Sequence, residues 1–118
     1  MMGYAQARAR LKQRAKQRSA AIEREIARLT EELKHMGALR VILFGSRARG
    51  EQTDWSDADL LVVMPSDLPF VERLAELYRV LCPFEVDILA YTPEEFEEGN
   101  PVIRSALAEG KVLYEKER

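Results

Sequence analysis

One stretch constrains the fold of this chain more than any other: residues 41–63, which read VILFGSRARGEQTDWSDADLLVV. It begins with four apolar residues of strand type and breaks at Gly45-Ser46. It ends with two aspartates, Asp57 and Asp59, that lead into a second apolar run. This order predicts a strand, a turn with a short helix, and a second strand that carries two carboxylates at its start.

The spacing of the two aspartates indicates that they act together. Residues i and i+2 of a strand point to the same face, so Asp57 and Asp59 should project together with Cα atoms about 6.5–7 Å apart. Two carboxylates held that close repel each other unless a cation lies between them. In proteins, Mg²⁺ is usually bound by one or two carboxylates together with substrate phosphates. The pair therefore predicts a site for a divalent metal ion.

The turn before the aspartates has the features of a phosphate site. Gly45 has no Cβ, so the backbone can approach a ligand closely there. Ser46 occupies the position expected for an N-cap, and the N-terminus of a helix attracts phosphate. Arg47 and Arg49 follow and are candidates for stabilising the charge of a triphosphate. For Arg49, a solvent-facing helix cation is an equally good interpretation.

Two more residues belong to the candidate site. Asp87 lies inside an apolar run, residues 84–91, that we predict to be a third strand, and a carboxylate there is costly unless it is paired or liganded. Asp87 is therefore the candidate third carboxylate, and a salt bridge at a strand end is the alternative. Trp55, in the loop before the aspartates, could stack on a base or plug the loop as a hydrophobic residue.

These motifs together resemble a known signature. Gly45-Ser46, ten residues, and then Asp57-Ala58-Asp59 resembles the signature of the nucleotidyltransferase superfamily that includes DNA polymerase β and kanamycin nucleotidyltransferase. The fuller runs, Gly45 to Gly50 and Ser56 to Leu60, are similar to the minimal nucleotidyltransferases. The resemblance covers roughly residues 35–118.

The resemblance implies a fold of the α/β (α+β) class, namely a small mixed β-sheet with helices packed on it, here preceded by a long N-terminal helix. It implies transfer of a nucleoside monophosphate, AMP from ATP, with two Mg²⁺ ions held by Asp57, Asp59 and Asp87. The acceptor it implies is a hydroxyl on a HEPN-domain protein encoded nearby, for which this chain would be the antitoxin. The nucleoside triphosphate would be held at Gly45 and Ser46, with Arg47 and Arg49 beside it.

Two functions of other classes stay open on the sequence. The chain could be a non-catalytic nucleotide-binding module that neutralises a HEPN protein by contact alone. It could also bind nucleic acid through basic residues 8–18, or use those residues on an acidic patch of a partner. A solvated helix extension is the plainest interpretation of the same residues. The oligomeric state is not given by the sequence, and a homo-oligomer is among the options.

The charge distribution divides the chain. Residues 1–40 carry ten Lys/Arg and four Asp/Glu, whereas residues 41–118 carry eight and sixteen. We therefore expect residues 1–20 to form a basic helical extension that projects from the body, and residues 21–118 to form the nucleotidyltransferase domain. The extension belongs to a helix predicted over residues 4–36, whose apolar stripe comprises Leu11, Ala15, Ile22, Ile26, Leu29, Leu33 and Met36.

The remaining elements follow from apolar periodicity and breakers. We predict strands over residues 40–44, 57–64, 84–91 and 112–114, and helices over 46–52, 70–81 and from 93 to 108 with a break at Gly99. The second strand is apolar on both faces below its aspartates. We therefore expect the long first helix, or another protein, to cover the face that carries them.

Composition sets the broad class. At 118 residues with 32% charged residues, the chain is expected to be one soluble domain. No apolar run approaches the roughly 20 residues that cross a membrane, and no signal peptide is recognisable. The single cysteine, Cys82, excludes an intramolecular disulfide and is expected to be a small buried hydrophobe. These features predict a cytoplasmic protein.

Overall fold

The computed structural model describes residues 3–53 and 57–117. The helices are α1 (Tyr4–His35), α2 (Ser46–Arg49), α3 (Phe70–Leu81), α4 (Pro93–Glu98) and α5 (Pro101–Glu109). The strands are β1 (Arg40–Phe44), β2 (Ala58–Val63), β3 (Val86–Tyr91) and β4 (Lys111–Glu115). None of the described helices is apolar over a length sufficient to span a bilayer.

The described strands form one mixed sheet in the order β3-β2-β1-β4. β1 is antiparallel to both of its neighbours, β2 and β4. β2 and β3 are parallel, and the chain between them returns through α3. This mixed α/β architecture with a long N-terminal helix is the fold class that the sequence predicted.

Each face of the sheet has its own hydrophobic cluster. On the first face, α1 and α3 pack on the sheet through Ile22, Leu29, Leu33, Leu77 and Leu81, against Val41, Leu43, Leu60, Val62, Val86 and Ile88. On the second face, α5 packs through Ile103 and Ala106 against Ile42, Leu61, Val63 and Tyr91. Alternate residues of β2 belong to different clusters, as the two-residue period of a strand requires.

The face that carries the aspartates is not covered as expected. Asp59 shares its face with Leu61 and Val63, which belong to the cluster under α5. The expectation that α1 or another protein covers this face is therefore wrong. A period of two residues shows which side chains share a face, but it does not show which helix later in the chain packs on that face.

α1 is one unbroken helix whose contacts with the body begin near Ala15. Ala15, Ile22, Leu29 and Leu33 are buried, as the apolar stripe predicted, while Leu11 is 57% exposed. The helix passes position 20 without interruption. The division of the chain into an extension and a domain at that position stays a prediction.

Two smaller differences concern single residues. Asp57 lies directly before β2, which begins at Ala58 and not at Asp57. Cys82, expected to be buried, is exposed at the C-cap of α3, where its φ of 44° is left-handed. The helix ends at this residue because Pro83 follows it and disfavours helical backbone at the preceding position.

Candidate active site

The register between β2 and β3 brings two of the predicted carboxylates side by side. In the parallel pairing, Asp59 lies opposite Asp87. Neighbouring strands are separated by about 4.8 Å, so both side chains leave the sheet close together and on the same face. On the other side of Asp59, its antiparallel partner is Phe44, the last residue of β1. The candidate site therefore lies at the end of the sheet where β1 finishes and β2 and β3 begin.

The electrostatics of Asp59 show that all three predicted carboxylates are neighbours. Partial burial raises the pKa of Asp59 above its ordinary value, and the negative charges of Asp87 and Asp57 raise it further. In the described part of the chain, no Lys, Arg or His forms an ion pair with Asp59. A half-buried carboxylate that faces two others is in the electrostatic situation that a bound cation relieves.

The backbone of Gly45 lies close to the carboxylate of Asp59. A Cβ on Gly45 would lie 2.7 Å from Oδ2 of Asp59, closer than side chains tolerate. The backbone of Gly45 has a φ of 80° and a ψ of −159°, a combination that is open essentially to glycine alone. Glycine is therefore required at position 45 for two reasons. Its backbone conformation is closed to other residues, and a Cβ would clash with the carboxylate of Asp59.

The turn after Gly45 is the short helix α2, and it is capped differently from the prediction. Gly45 is the N-cap and Ser46 is the first helical residue, so the prediction that Ser46 is the N-cap is wrong. Gly45 still accepts backbone hydrogen bonds from Ala48 and Arg49 through its carbonyl oxygen. Ser46 is therefore the residue directly after the glycine whose backbone leaves no room for a Cβ beside Asp59.

Asp57 has a cationic partner from α1. Nη2 of Arg18 lies 2.7 Å from Oδ1 of Asp57 and 2.9 Å from Oε2 of Glu85. The side chain of Asp57 is exposed, whereas that of Arg18 is only 20% exposed. Glu85 has a left-handed φ of 56°, which is uncommon for a residue other than glycine.

The two arginines of α2 already have protein partners. Arg47 is buried and donates to Oγ of Ser19 on α1 at 3.4 Å. Arg49 forms ion pairs of 3.1 Å with Glu51 and with Glu109. A role for either arginine on a triphosphate stays a prediction, as do the roles of the three aspartates. Trp55 lies outside the described residues.

The donor set suits a hard divalent cation. Asp57, Asp59 and Asp87 offer only carboxylate oxygens, which are the ligands preferred by Mg²⁺. Within residues 3–53 and 57–117, no three acidic, histidine or cysteine side chains are already arranged around one ion position. One oxygen of Asp57 contacts Arg18 instead. The three carboxylates fit a divalent metal by the chemistry of their donor atoms.

Sequence reasoning missed Arg18 and Glu85 as parts of this site. Arg18 is one of six alternating cations in residues 8–18, and it lies 39 positions from Asp57 in the sequence. No local pattern distinguishes it from the others. The remaining five cations, residues 8, 10, 12, 14 and 16, are exposed, and nucleic-acid binding through them stays a prediction.

Comparison with known proteins points to one family. Residues 26–114 match the nucleotidyltransferase domain. Over 87 residues the chain is 39% identical to the "Putative protein adenylyltransferase" of Methanocaldococcus jannaschii, a match that covers 69% of this chain and 84% of that protein.

Solved structures share the fold. The crystal structure of a putative nucleotidyltransferase from Sulfolobus solfataricus superposes with a TM-score of 0.65 at 21% identity, covering 86% of this chain and 87% of the other. A toxin-antitoxin crystallised with AMP-PNP contains a chain that superposes with a TM-score of 0.51 at 24% identity, covering 80% and 74%. At these identities the likeness concerns the fold alone.

The contact between Gly45 and Asp59 can be tested by adding one methyl group. We expect Gly45→Ala to destabilise the protein by at least about 1 kcal/mol more than Gly50→Ala, measured by urea denaturation. Gly50 also has a positive φ, 74°, but a Cβ there meets nothing within 4 Å, so its variant reports backbone strain alone. Equal losses in the two variants would show that Asp59 does not constrain position 45.

The repulsion among the carboxylates should appear as a stability that depends on pH. Because the pKa of Asp59 is raised in the fold, the folded protein binds this proton more tightly than the unfolded chain. Ionisation of Asp59 therefore lowers the free energy of unfolding as the pH rises above about 3.9, the ordinary aspartate pKa. With EDTA present, Asp59→Asn should unfold at a higher temperature than the wild type at pH 7, and this advantage should disappear toward pH 3.5.

The control for this measurement is Asp67→Asn, which removes an exposed carboxylate on the loop before α3. Its melting temperature should follow that of the wild type at each pH. If Asp59→Asn were less stable than the wild type at pH 7, the carboxylate would be stabilising the fold, and the repulsion described above would not exist.

Proposed function

Since the chain belongs to the nucleotidyltransferase domain family, we propose that it transfers AMP from ATP to a hydroxyl on a partner protein, in a reaction that depends on divalent metal ions. The observation that carries this proposal is the pairing of Asp59 with Asp87 beside Gly45. This pairing places carboxylates from two strands next to Gly45, where the backbone has no side chain and a ligand can approach closely. That is an arrangement suited to a metal-bound triphosphate.

Each residue of the site would have a separate role. Asp57 and Asp59 would hold the cation on the nucleotide side. Asp87 would complete the second cation position and accept the proton of the acceptor hydroxyl. Ser46 and the backbone N–H groups that follow Gly45 bind the terminal phosphates. Two bound Mg²⁺ ions would stabilise the attacking and leaving oxygens of an in-line displacement.

In the proposed step, one bond to the α-phosphorus of ATP forms and another breaks. The hydroxyl oxygen of the acceptor forms a bond with the α-phosphorus of ATP, and the bond from that phosphorus to the bridging oxygen breaks. Pyrophosphate leaves, and the hydroxyl proton passes to Asp87. Asp59, half-buried and facing two other carboxylates, orients the nucleotide without taking a proton itself, because its charge is required by the cation.

The acceptor class is supported by the relative and by the motif. The Methanocaldococcus protein, of which this chain covers 84%, carries the name of a protein adenylyltransferase. The motif from Gly45 to Asp59 resembles that of minimal nucleotidyltransferases paired with HEPN-domain proteins. We therefore propose that the acceptor is a HEPN protein encoded nearby and that this chain is its antitoxin.

Co-expression tests this proposal directly. The chain is produced with the adjacent HEPN protein, which is then purified and weighed intact by mass spectrometry. We expect the HEPN protein to gain the mass of one or more AMP groups with the wild type and none with Asp59→Asn. Asp67→Asn, which changes an exposed carboxylate away from the site, should modify the partner as the wild type does.

Two other outcomes would decide against the proposal. An unmodified HEPN protein that is nonetheless neutralised by both the wild type and Asp59→Asn would indicate a module that acts by contact alone. An added mass corresponding to a nucleotide other than AMP would retain the transferase but replace ATP as the donor.

A further inference from the structure

The contact between Arg18 and Asp57 joins the basic helix to the candidate metal site. Arg18 lies on α1, which packs on the opposite face of the sheet, yet its Nη2 reaches Oδ1 of Asp57 at 2.7 Å. The same nitrogen reaches Oε2 of Glu85 at 2.9 Å. One guanidinium group therefore links α1 to the starts of both strands that carry the site.

The position of Arg18 is fixed by the rest of α1. Ile22, one turn further along, is fully buried. Oε2 of Glu25 accepts a hydrogen bond of 2.8 Å from the backbone N–H of Phe84, and Arg28 donates to the carbonyl oxygen of Leu81 at 2.9 Å. α1 is thus attached to the segment that leads from α3 into β3. Arg18 extends this attachment toward the N-terminus of α1 through its contact with Glu85.

We propose that Arg18 competes with the divalent cation for Asp57, and that loading of the metal and nucleotide moves its guanidinium off Asp57 while its contact with Glu85 is kept. This inference rests on the proposed function, because it concerns the same metal-binding carboxylates. Under it, Arg18 is a positioning residue that keeps Asp57 neutralised until the metal and nucleotide arrive.

Charge and geometry support the competition. A guanidinium at 2.7 Å uses one oxygen of Asp57, and a divalent cation bound to the same carboxylate would lie within a few ångströms of a positive charge. Although Asp57 is exposed, the two cations would be separated by less than a Debye length, about 8–10 Å at physiological salt, so dissolved ions screen their repulsion only in part. Glu85 offers the guanidinium a second partner that is already within hydrogen-bond distance, so its release from Asp57 requires only a small movement.

The competition implies a reciprocal effect on α1. If Arg18 opposes cation binding, then cation binding must weaken the attachment of α1 near Arg18 by the same free energy. The segment N-terminal to Ile22 contacts the body through Arg18, through buried Ala15 and through the hydrogen bond from Arg47 to Ser19, while Leu11 and the cations before Arg18 are exposed. Release of Arg18 from Asp57 removes one of these contacts. Loading of the site should therefore loosen this segment and leave the region of Leu29 and Leu33 unchanged.

The first test measures cation affinity. Arg18→Gln keeps much of the side-chain length and removes the charge, and Arg14→Gln removes a charge one turn earlier, where the side chain is exposed. Mn²⁺ binding, followed by electron paramagnetic resonance of the free ion, should be about five- to tenfold tighter in Arg18→Gln than in the wild type. The Mn²⁺ affinity of Arg14→Gln should stay within about twofold of that of the wild type, because this variant changes only the overall positive charge of α1.

The second test uses the unaltered protein, so it does not depend on the folding of a variant. Backbone hydrogen exchange is followed by mass spectrometry with and without Mg²⁺ and α,β-methylene-ATP, an analogue that cannot be cleaved at the reacting bond. Peptides from residues 12–21 should exchange faster in the loaded protein, while peptides from residues 26–34 should not change.

The outcomes separate this inference from the proposed function. Weaker or equal Mn²⁺ binding in Arg18→Gln, or slower exchange of residues 12–21 on loading, would overturn the competition. If the wild type still binds Mn²⁺ and Asp59→Asn does not, the proposed site survives that result. If none of the wild type, Arg18→Gln and Arg14→Gln binds Mn²⁺, both the competition and the proposed metal site are wrong.

Discussion

Asp59 lies beside Asp87 because β2 and β3 run parallel in one fixed register. This register brings two carboxylates together, and their repulsion lowers the stability of the fold. The apolar residues further along both strands maintain the register. Leu60 and Ile88 are buried on one face, and Leu61 is buried on the other. A slip of β2 by one residue would turn Asp59 into the cluster under α1 and expose Leu60. The hydrophobic core therefore enforces an electrostatic arrangement that would not form alone.

The same constraint explains the glycine before α2. Once Asp59 is held in place, the chain leaving β1 must pass its carboxylate, and only a residue without a Cβ can do so. The helix α2 begins directly after this glycine. Strained backbone of this kind is tolerated where surrounding packing over-determines it, and such positions are frequent at functional sites. Glu85, left-handed beside β3, is a second example at the same end of the sheet.

Local patterns predicted most of the elements. β1 has the bounds that its continuous apolar run indicated, and α3 has those that its amphipathic spacing and the following Pro83 indicated. The candidate carboxylates were also found from sequence, because acidic residues within apolar strands have few structural explanations. Their proximity could be anticipated from the family resemblance.

Long-range relations were not predictable in the same way. Nothing in residues 41–63 indicates that α5 would cover the face of Asp59, or that Arg18 of the first helix would reach Asp57. In the same way, no local pattern indicates that Arg47 is buried and hydrogen-bonded to Ser19 on α1. These contacts join residues 28 or more positions apart, and they depend on packing angles that side-chain periodicity does not contain.

The central claim is that carboxylates from two strands bind one metal-nucleotide complex. Calorimetric titration of Mg²⁺ and α,β-methylene-ATP into the wild type and into Asp87→Asn tests it most directly, because Asp87 is contributed by the second strand. We expect saturable binding to the wild type and a loss of affinity of at least about tenfold in the variant. Equal affinities would show that Asp87 has no part in the site and would contradict the account.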